Sequence, residues 1–478
     1  MRKSEYALKE KCGVFGIYGD PGAVEKCYFG LHSLQHRGQE SAGIAISDGE
    51  TIYKHTGMGL VSEVFPQPIL RQLSEKGNIA IGHVRYSTAG SSCVANAQPM
   101  LVDYSCGQVA VAHNGNLVNA SLLRDEYEAY GHIFQGTSDK EIIVHLLAKP
   151  THISKPDTLA HVLNHLQGAY CLLFLFPDRI EAARDPYGIR PLCIGQLDSG
   201  AYVVASETCA LDIIDANFVR EVEPGEIVTL DKHGIRSRFF DGPGNVTPAH
   251  CIFEQVYFSD PSSEIFGENV HVVRHRMGKQ LAREAPVDAD MVIPVPNCAR
   301  CAAGGYAEES GIMYERGFTV SHYAGRSFIE PEQPMRDLAV RMKLNVIREV
   351  VRDKRLVVIE DSVVRGTTTR GKMGALRRAG AKEIHLRVAS PPIRHPCFYG
   401  IDFPSHQELI ANEKSVGQIR DYLEVDSLHY LSLEGMLSCV KHPPAHYCTA
   451  CWSGKYPIPV DYSVSKFTHD RFQKRLFE

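Results

Sequence analysis

The chain has no long hydrophobic run, no excess of one charge sign, no internal repeat and no low-complexity tract. Each absence excludes something. Without about 18 consecutive apolar residues, no helix can be expected to span a bilayer. The opening MRKSEYALKEK is charged throughout and lacks the apolar stretch of a secretory signal. A net charge of −5 and a pI near 6.5 leave no basic footprint for nucleic acid. The 14 cysteines are too dispersed for a disulfide scaffold, and a cytoplasmic chain keeps them reduced. What remains is 478 residues, 44% of them apolar, an ordinary globular composition with length for two to four domains. A cytoplasmic protein is expected.

Turn formers cluster at Asp241-Gly242-Pro243-Gly244-Asn245-Val246-Thr247-Pro248. Before them, short alternating strands dominate; after them, strand–helix–strand patterns begin. Two domains of similar size are expected, 12–245 and 246–478.

The stretch that organises the second half is Arg355–Arg370, RLVVIEDSVVRGTTTR. Leu356 to Ile359 is an unbroken apolar run, which suits a parallel strand buried on both faces. Glu360 and Asp361 follow where the strand ends, and then a hydroxyl-rich loop from Ser362 through Arg365, Gly366, Thr367 and Thr368 to Thr369. Met373 and Leu376 keep helical spacing up to Gly380; Ile384, Leu386 and Val388 alternate as the next strand. Such a strand–loop–helix unit places backbone N–H groups, hydroxyls and a helix N-terminus around one point, which suits a phosphate. The paired acids can hold sugar hydroxyls or a hydrated magnesium ion.

The first half carries four glycine- or polar-punctuated segments. They are Cys12-Gly13-Val14-Phe15-Gly16-Ile17, Leu34–Gly43 (LQHRGQESAG), Gly82–Thr88 (GHVRYST) and His113-Asn114-Gly115-Asn116. A fifth, Gly136–Glu141 (GTSDKE), puts an acid at the entrance to a helix beginning with Glu141. Taken alone, a cysteine such as Cys12 reads as a small buried residue.

Together, these segments resemble the class II glutamine amidotransferases, the N-terminal-nucleophile glutaminases. The acid–acid–loop segment of the second half resembles the phosphoribosyl pyrophosphate (PRPP) signature of type I phosphoribosyltransferases. The combination, from Cys12 to about Pro457, is similar to the glutamine PRPP amidotransferase family. The fold implied is an α+β sandwich of αββα type followed by an α/β domain with a parallel sheet. The activity implied is glutamine-driven synthesis of 5-phosphoribosylamine from PRPP, releasing glutamate and pyrophosphate at the start of purine synthesis.

The resemblance also implies roles. Residues 1–11 would be a propeptide whose removal frees the α-amino group of Cys12. That amine, with a pKa of roughly 7.7–8.0, serves as base for the thiol nucleophile. Asn114 and the Gly115 N–H would stabilise the oxyanion. Arg85 would pair with the glutamine carboxylate, Asp139 with its ammonium, and Arg37 would help close or orient the site. In the second half Glu360 and Asp361 would bind ribose hydroxyls and magnesium. Ser362, Arg365, Gly366, Thr367, Thr368 and Thr369 would cradle the 5-phosphate, while Arg326 and Lys343, on a closing flap, would reach the pyrophosphate. Purine nucleotides would inhibit, and the assembly would be a homotetramer.

One loop departs from the pattern. The family's Pro-Asp-Ser-Gly-like magnesium loop is here Pro296-Asn297-Cys298-Ala299-Arg300-Cys301. Asn297 removes a charge, and Cys298 offers magnesium a soft sulfur. Four other cysteines stand out: Cys251, Cys397 and the pair Cys448/Cys451. Their spacing alone is equally compatible with zinc and an iron–sulfur centre. The resemblance implies a structural 4Fe-4S cluster on all four, with Cys298 and Cys301 unrelated to it and Cys439 buried in packing. Two other readings stay open: a glutaminase feeding ammonia to another phosphorylated acceptor, and a regulator that senses PRPP.

Overall fold

A computed structural model of the chain describes residues 12–86, 93–136, 140–240, 246–320, 344–401, 403 and 406–460. The expected propeptide, Asp139, Arg326, Lys343 and the flap around them lie outside the described residues.

Two antiparallel sheets form the first half. One runs, edge to edge, Asn217–Glu221, Cys193–Gln196, Tyr202–Ala205, Gly13–Tyr18, Ile79–Arg85, Ser41–Ser47 and Ile52–Met58. The other runs Gly234–Phe239, Glu226–Asp231, Arg179–Arg184, Gly168–Phe176, Gly107–Leu117 and Met100–Tyr104. Alternate side chains meet between them: Val14, Ile81, Ala112, Leu173, Val204 and Leu230 make a shared core. The outer face of the first sheet is covered by helix Ala23–Ser33, which buries Ala23, Val24, Cys27 and Leu31 along one stripe. The outer face of the second is covered by Glu141–Ala148 and Thr158–Leu163 through Ile142, Ile143, Leu146 and Val162. The layers are therefore α, β, β, α.

The second half is built on a four-stranded parallel sheet, Met291–Pro294, Arg355–Glu360, Glu383–Val388 and Ser427–Tyr430. Both faces are covered, which explains the unbroken apolar run in its strands. Leu356 and Val358 face Met373 and Leu376 of helix Thr367–Arg378. Val357 and Ile359 face Val273 and Met277 of helix Val270–Glu284 and Ala303 of helix Arg300–Ser310.

The two halves meet at a corner made by Arg184–Leu192. Arg184 donates to the carbonyls of Gly188, Arg190 and Val222. Asp185 accepts from the N–H groups of Tyr170, Tyr187 and Ile189. The chain from Ala249 then docks on this corner, with Ala249 N–H donating to Tyr187 O at 2.7 Å and Cys251 N–H to Ile189 O at 3.0 Å.

Candidate active sites

Cys12 sits at the mouth of the two-sheet sandwich, directly before strand Gly13–Tyr18, and its side chain is buried. Its thiol lies 3.8 Å from the Lys140 ammonium and 3.8 Å from the Tyr86 carbonyl. Burial by itself would push the thiol up. The charge of Lys140 and the neighbouring His83 outweigh burial and hold it well below its ordinary range. Burial keeps His83 itself below the usual imidazole range; its Nε2 meets the His113 carbonyl at 3.0 Å. Lys140 was missed by sequence reasoning. The available signal was its place beside Asp139, at the start of an amphipathic helix, but nothing in the sequence says that this turn folds onto Cys12.

Asn114 and Gly115 come from the facing sheet. The Asn114 side chain is buried; its Nδ2 reaches Ser206 Oγ at 3.5 Å, the long limit of a hydrogen bond. The same hydroxyl accepts from Val14 N–H at 2.9 Å, so one serine ties the asparagine to the strand that carries Cys12. Gly115 has φ +146°, and a Cβ there would lie 2.0 Å from the Ala169 carbonyl oxygen. No other residue fits this close passage of two strands.

Arg85 ends the strand next to Cys12's own and pairs with Glu40 at 3.0 Å, from the loop before Ser41–Ser47. Glu141 accepts from the N–H groups of Gln135 and Gly136 at 2.7 Å each, which pins the turn preceding its helix.

Arg37 was expected to help close or orient the site, with a structural ion pair as the equal alternative. Its guanidinium is buried and committed behind the thiol: Nε donates to the Cys12 carbonyl at 3.2 Å, Nη2 to Glu254 at 2.8 Å, and Nη1 to both Glu254 and Glu207. Arg37 positions the Cys12 backbone. Glu254 is shared with Arg190, whose Nη1 lies 2.6 Å from it and whose Nη2 donates to the Tyr399 carbonyl at 3.1 Å. Burial would raise Glu254, but the two arginines hold it down at about 2. Glu207 also pairs with His36 at 2.8 Å and accepts from Ser263 at 2.7 Å. The sequence gives no hint of this network, because its members are separated by up to 217 positions.

In the second half, Glu360 closes its strand and Asp361 follows it, both buried. Burial raises the Glu360 carboxyl; Lys372, 3.2 Å away, pulls it back, and the adjacent Asp361 pushes it further up. Asp361 is likewise raised by burial and accepts a hydrogen bond from Ser362 Oγ at 2.7 Å. Gly366, at φ +76°, turns the chain into helix Thr367–Arg378, so Thr367, Thr368 and Thr369 form its first turn. A Cβ on Gly366 would come within 2.7 Å of Ile410. Arg365 pairs with Glu408 at 3.1 Å. Cys298 lies before helix Arg300–Ser310 at the end of the neighbouring strand, while Cys301 is buried with His271 Nδ1 3.2 Å from its sulfur.

The four cysteines singled out by spacing come together. His250–Cys251 and Tyr447–Cys448 pair as a short parallel ladder, which places Cys251 opposite Cys448. The backbone N–H groups of Arg394 and His395 donate to the Cys451 carbonyl, drawing the Cys397 loop alongside. All six pairings of the four thiols lie within electrostatic reach of one another. Burial pushes the Cys251 thiol up to about 11, with Arg190 opposing it. A mononuclear zinc at about 2.3 Å from each sulfur needs sulfurs about 3.8 Å apart. Among the described residues, no three of these thiols approach within 4.8 Å of one another.

An αββα sandwich with a buried cysteine at its mouth, joined to a parallel-sheet domain with an acidic, threonine-rich loop, defines a glutamine amidotransferase coupled to a pentosyltransferase. The comparisons agree. A glutamine amidotransferase domain model matches residues 83–212. The chain is 49% identical over 464 residues to chloroplastic amidophosphoribosyltransferase 2 of Arabidopsis thaliana, covering 96% of this chain and 81% of that one. It is 48% identical to the amidophosphoribosyltransferase of Bacillus subtilis, covering 95% of each. A solved glutamine PRPP amidotransferase from B. subtilis, complexed with ADP and GMP, superposes with a TM-score of 0.89 at 47% identity, over 95% of this chain and 99% of that one. The chain belongs to the amidophosphoribosyltransferase family. Among the described residues no helix is long and apolar enough to cross a membrane.

The Lys140 contact makes a prediction of its own. Replacing Lys140 with Met should move the acid limb of the kcat/KM profile for glutamine hydrolysis upward, because the thiolate loses the ammonium beside it. Lys140→Arg should restore most of it. An unmoved acid limb in Lys140→Met would show that the ammonium does not set the thiol's ionisation.

Proposed function

We propose that Cys12, once the 1–11 propeptide is removed, attacks the glutamine carboxamide, its own α-amino group acting as base. The Asn114 Nδ2 and Gly115 N–H take the oxyanion, where one such donor is typically worth about 2.7–4 kcal/mol. Arg85 and Asp139 hold the α-carboxylate and α-ammonium of glutamine. The glutamyl thioester is hydrolysed to glutamate, and the ammonia passes to the second site within the same chain.

There, the ammonia displaces pyrophosphate from C1 of PRPP and yields 5-phosphoribosylamine. Glu360 and Asp361 hold the ribose hydroxyls, and the first turn of helix Thr367–Arg378 with Ser362, Arg365 and Gly366 receives the 5-phosphate. Two adjacent buried carboxylates, both raised by burial, suit a cation, and magnesium's preference for oxygen would place it on them and on substrate phosphates rather than on Cys298. Arg326 and Lys343 meet the pyrophosphate. Cys251, Cys397, Cys448 and Cys451 hold a 4Fe-4S cluster whose role is structural: it fastens the C-terminal segment to the corner at Arg190. The boundary between the halves falls at 245/246. A cytoplasmic homotetramer inhibited by purine nucleotides completes the reading; the ADP and GMP bound to the B. subtilis neighbour support the last part.

The observation that carries this function is the convergence, in one chain, of a Cys12 thiol held low beside Asn114 and a buried acidic pair opening a threonine-rich helix turn. The test is pyrophosphate release from PRPP by anaerobically purified protein, with ammonia and then with glutamine as donor. Release with both donors is expected, from protein containing about four irons and four sulfides per chain. Glutamine hydrolysis with no pyrophosphate release would mean that the Asn297–Cys298 loop serves a different phosphorylated acceptor. Zinc in place of iron would overturn the cluster.

A further inference from the structure

Three histidines outside both sites converge on one point. His152 belongs to the short helix Pro150–Ile153, which follows directly on Glu141–Ala148. His161 lies in Thr158–Leu163, and His165 follows just beyond it. The ring centroids stand 4.7 Å apart for His152 and His161, 4.9 Å for His152 and His165, and 4.8 Å for His161 and His165. One nitrogen from each ring lies within 4.8 Å of the other two.

Two of the rings are already oriented. His152 Nδ1 meets the Leu146 carbonyl at 2.9 Å, and His165 Nδ1 meets the His161 carbonyl at 2.8 Å. A ring nitrogen facing a carbonyl must carry the proton, so in the neutral ring Nε2 is left with its lone pair free for a metal. The charged groups that reach the cluster are Lys149 and Lys155. His152 is buried, His161 partly exposed and His165 exposed, which leaves an entry path from solvent.

We propose that His152, His161 and His165 form a binding site for a divalent transition cation of zinc's class. Three neutral imidazoles with a fourth position open to water are a set that such an ion accepts. Zinc–nitrogen bonds of about 2.0–2.1 Å bring the donors to about 3.3 Å from one another, which ring rotations can close from the present spacing. Bound there, the ion ties Pro150–Ile153, whose His152 ring is held on the Leu146 carbonyl of Glu141–Ala148, to Thr158–Leu163. Lys140 immediately precedes the first of these helices, so the ion stiffens the element that carries the ammonium beside Cys12. The site itself is independent of the catalytic reading.

The test uses the complete protein with its cysteine centre loaded, so that those thiols are occupied. Equilibrium dialysis against zinc followed by elemental analysis should find one zinc per chain beyond the metal already present. Cobalt in its place should give weak d–d absorption with no thiolate charge-transfer band. His161→Ala and His165→Ala, both at accessible positions, should each weaken zinc binding at least tenfold. No zinc bound by the parent protein, a thiolate band with cobalt, or undiminished binding in both variants would each overturn the site.

Discussion

Protein carrying Cys12→Ser releases pyrophosphate from PRPP with ammonia as donor and releases almost none with glutamine. The expected loss of glutamine-dependent activity is at least about a thousandfold, since a hydroxyl in place of a thiolate removes the activated nucleophile. The acceptor site should be untouched. Its acids, Glu360 and Asp361, stand on the parallel sheet, and the thiol stands at the mouth of the sandwich. The electrostatics make the difference between the two nucleophiles large. Lys140 and His83 lower a thiol that titrates within reach of neutrality, whereas a serine hydroxyl starts far too high for the same neighbours to ionise it. Loss of both activities in a folded protein would count against two separable sites.

The second large effect is expected from Glu254→Gln. This carboxylate lies between Arg37 and Arg190 with no exposure of any of the three, so the nearly isosteric amide leaves Arg190 a buried cation without its partner. Breaking such a pair costs about 3–5 kcal/mol. The denaturant midpoint for loss of activity should fall accordingly, and Cys12 should lose part of its backbone support, since Arg37 holds its carbonyl. By contrast, a surface pair such as Arg283–Glu309 should leave the midpoint almost unmoved when removed. The pH dependence has a definite sign. Glu254 is held at about 2, below the ordinary 4.5, so its contribution is fully present above 4.5 and is lost as pH falls toward 2. Glu254→Gln should flatten that part of the acid-unfolding curve. An unchanged midpoint together with an unchanged acid limb would show that the network is not what joins the halves.

The arrangement around Glu254 also links the two ends of the protein. From the Cys12 carbonyl the contacts run through Arg37, Glu254 and Arg190, and Arg190 in turn lowers Cys251.

Much of the molecule was legible in its residue order because local physics dictates it. The apolar run Leu356–Ile359, ended by Glu360 and Asp361 and followed by Gly366 and three threonines, can hardly be other than a buried strand opening into a helix; the strand is Arg355–Glu360 and the helix Thr367–Arg378. The helix expected at Glu141 begins there. The strand expected to end on Asn114 and Gly115 instead runs on to Leu117, and glycine at 115 is required by the close approach of the Ala169 carbonyl. The strand at Arg355–Glu360 and the two helices depend on neighbours a few positions away.

What only the tertiary structure decided depends on partners that no spacing connects. Arg37 read as a site-closing cation, but two glutamates from distant segments, Glu207 and Glu254, claim it behind the thiol. Lys140 drew no reading from the sequence, and only the fold sets its ammonium against Cys12. Four scattered cysteines showed no common site in their spacing until the Cys251–Cys448 ladder and the Cys451 carbonyl gathered their segments. Periodicity and turn chemistry act over a few residues and are written in order along the chain, whereas a buried charge takes its meaning from whatever packing brings to it.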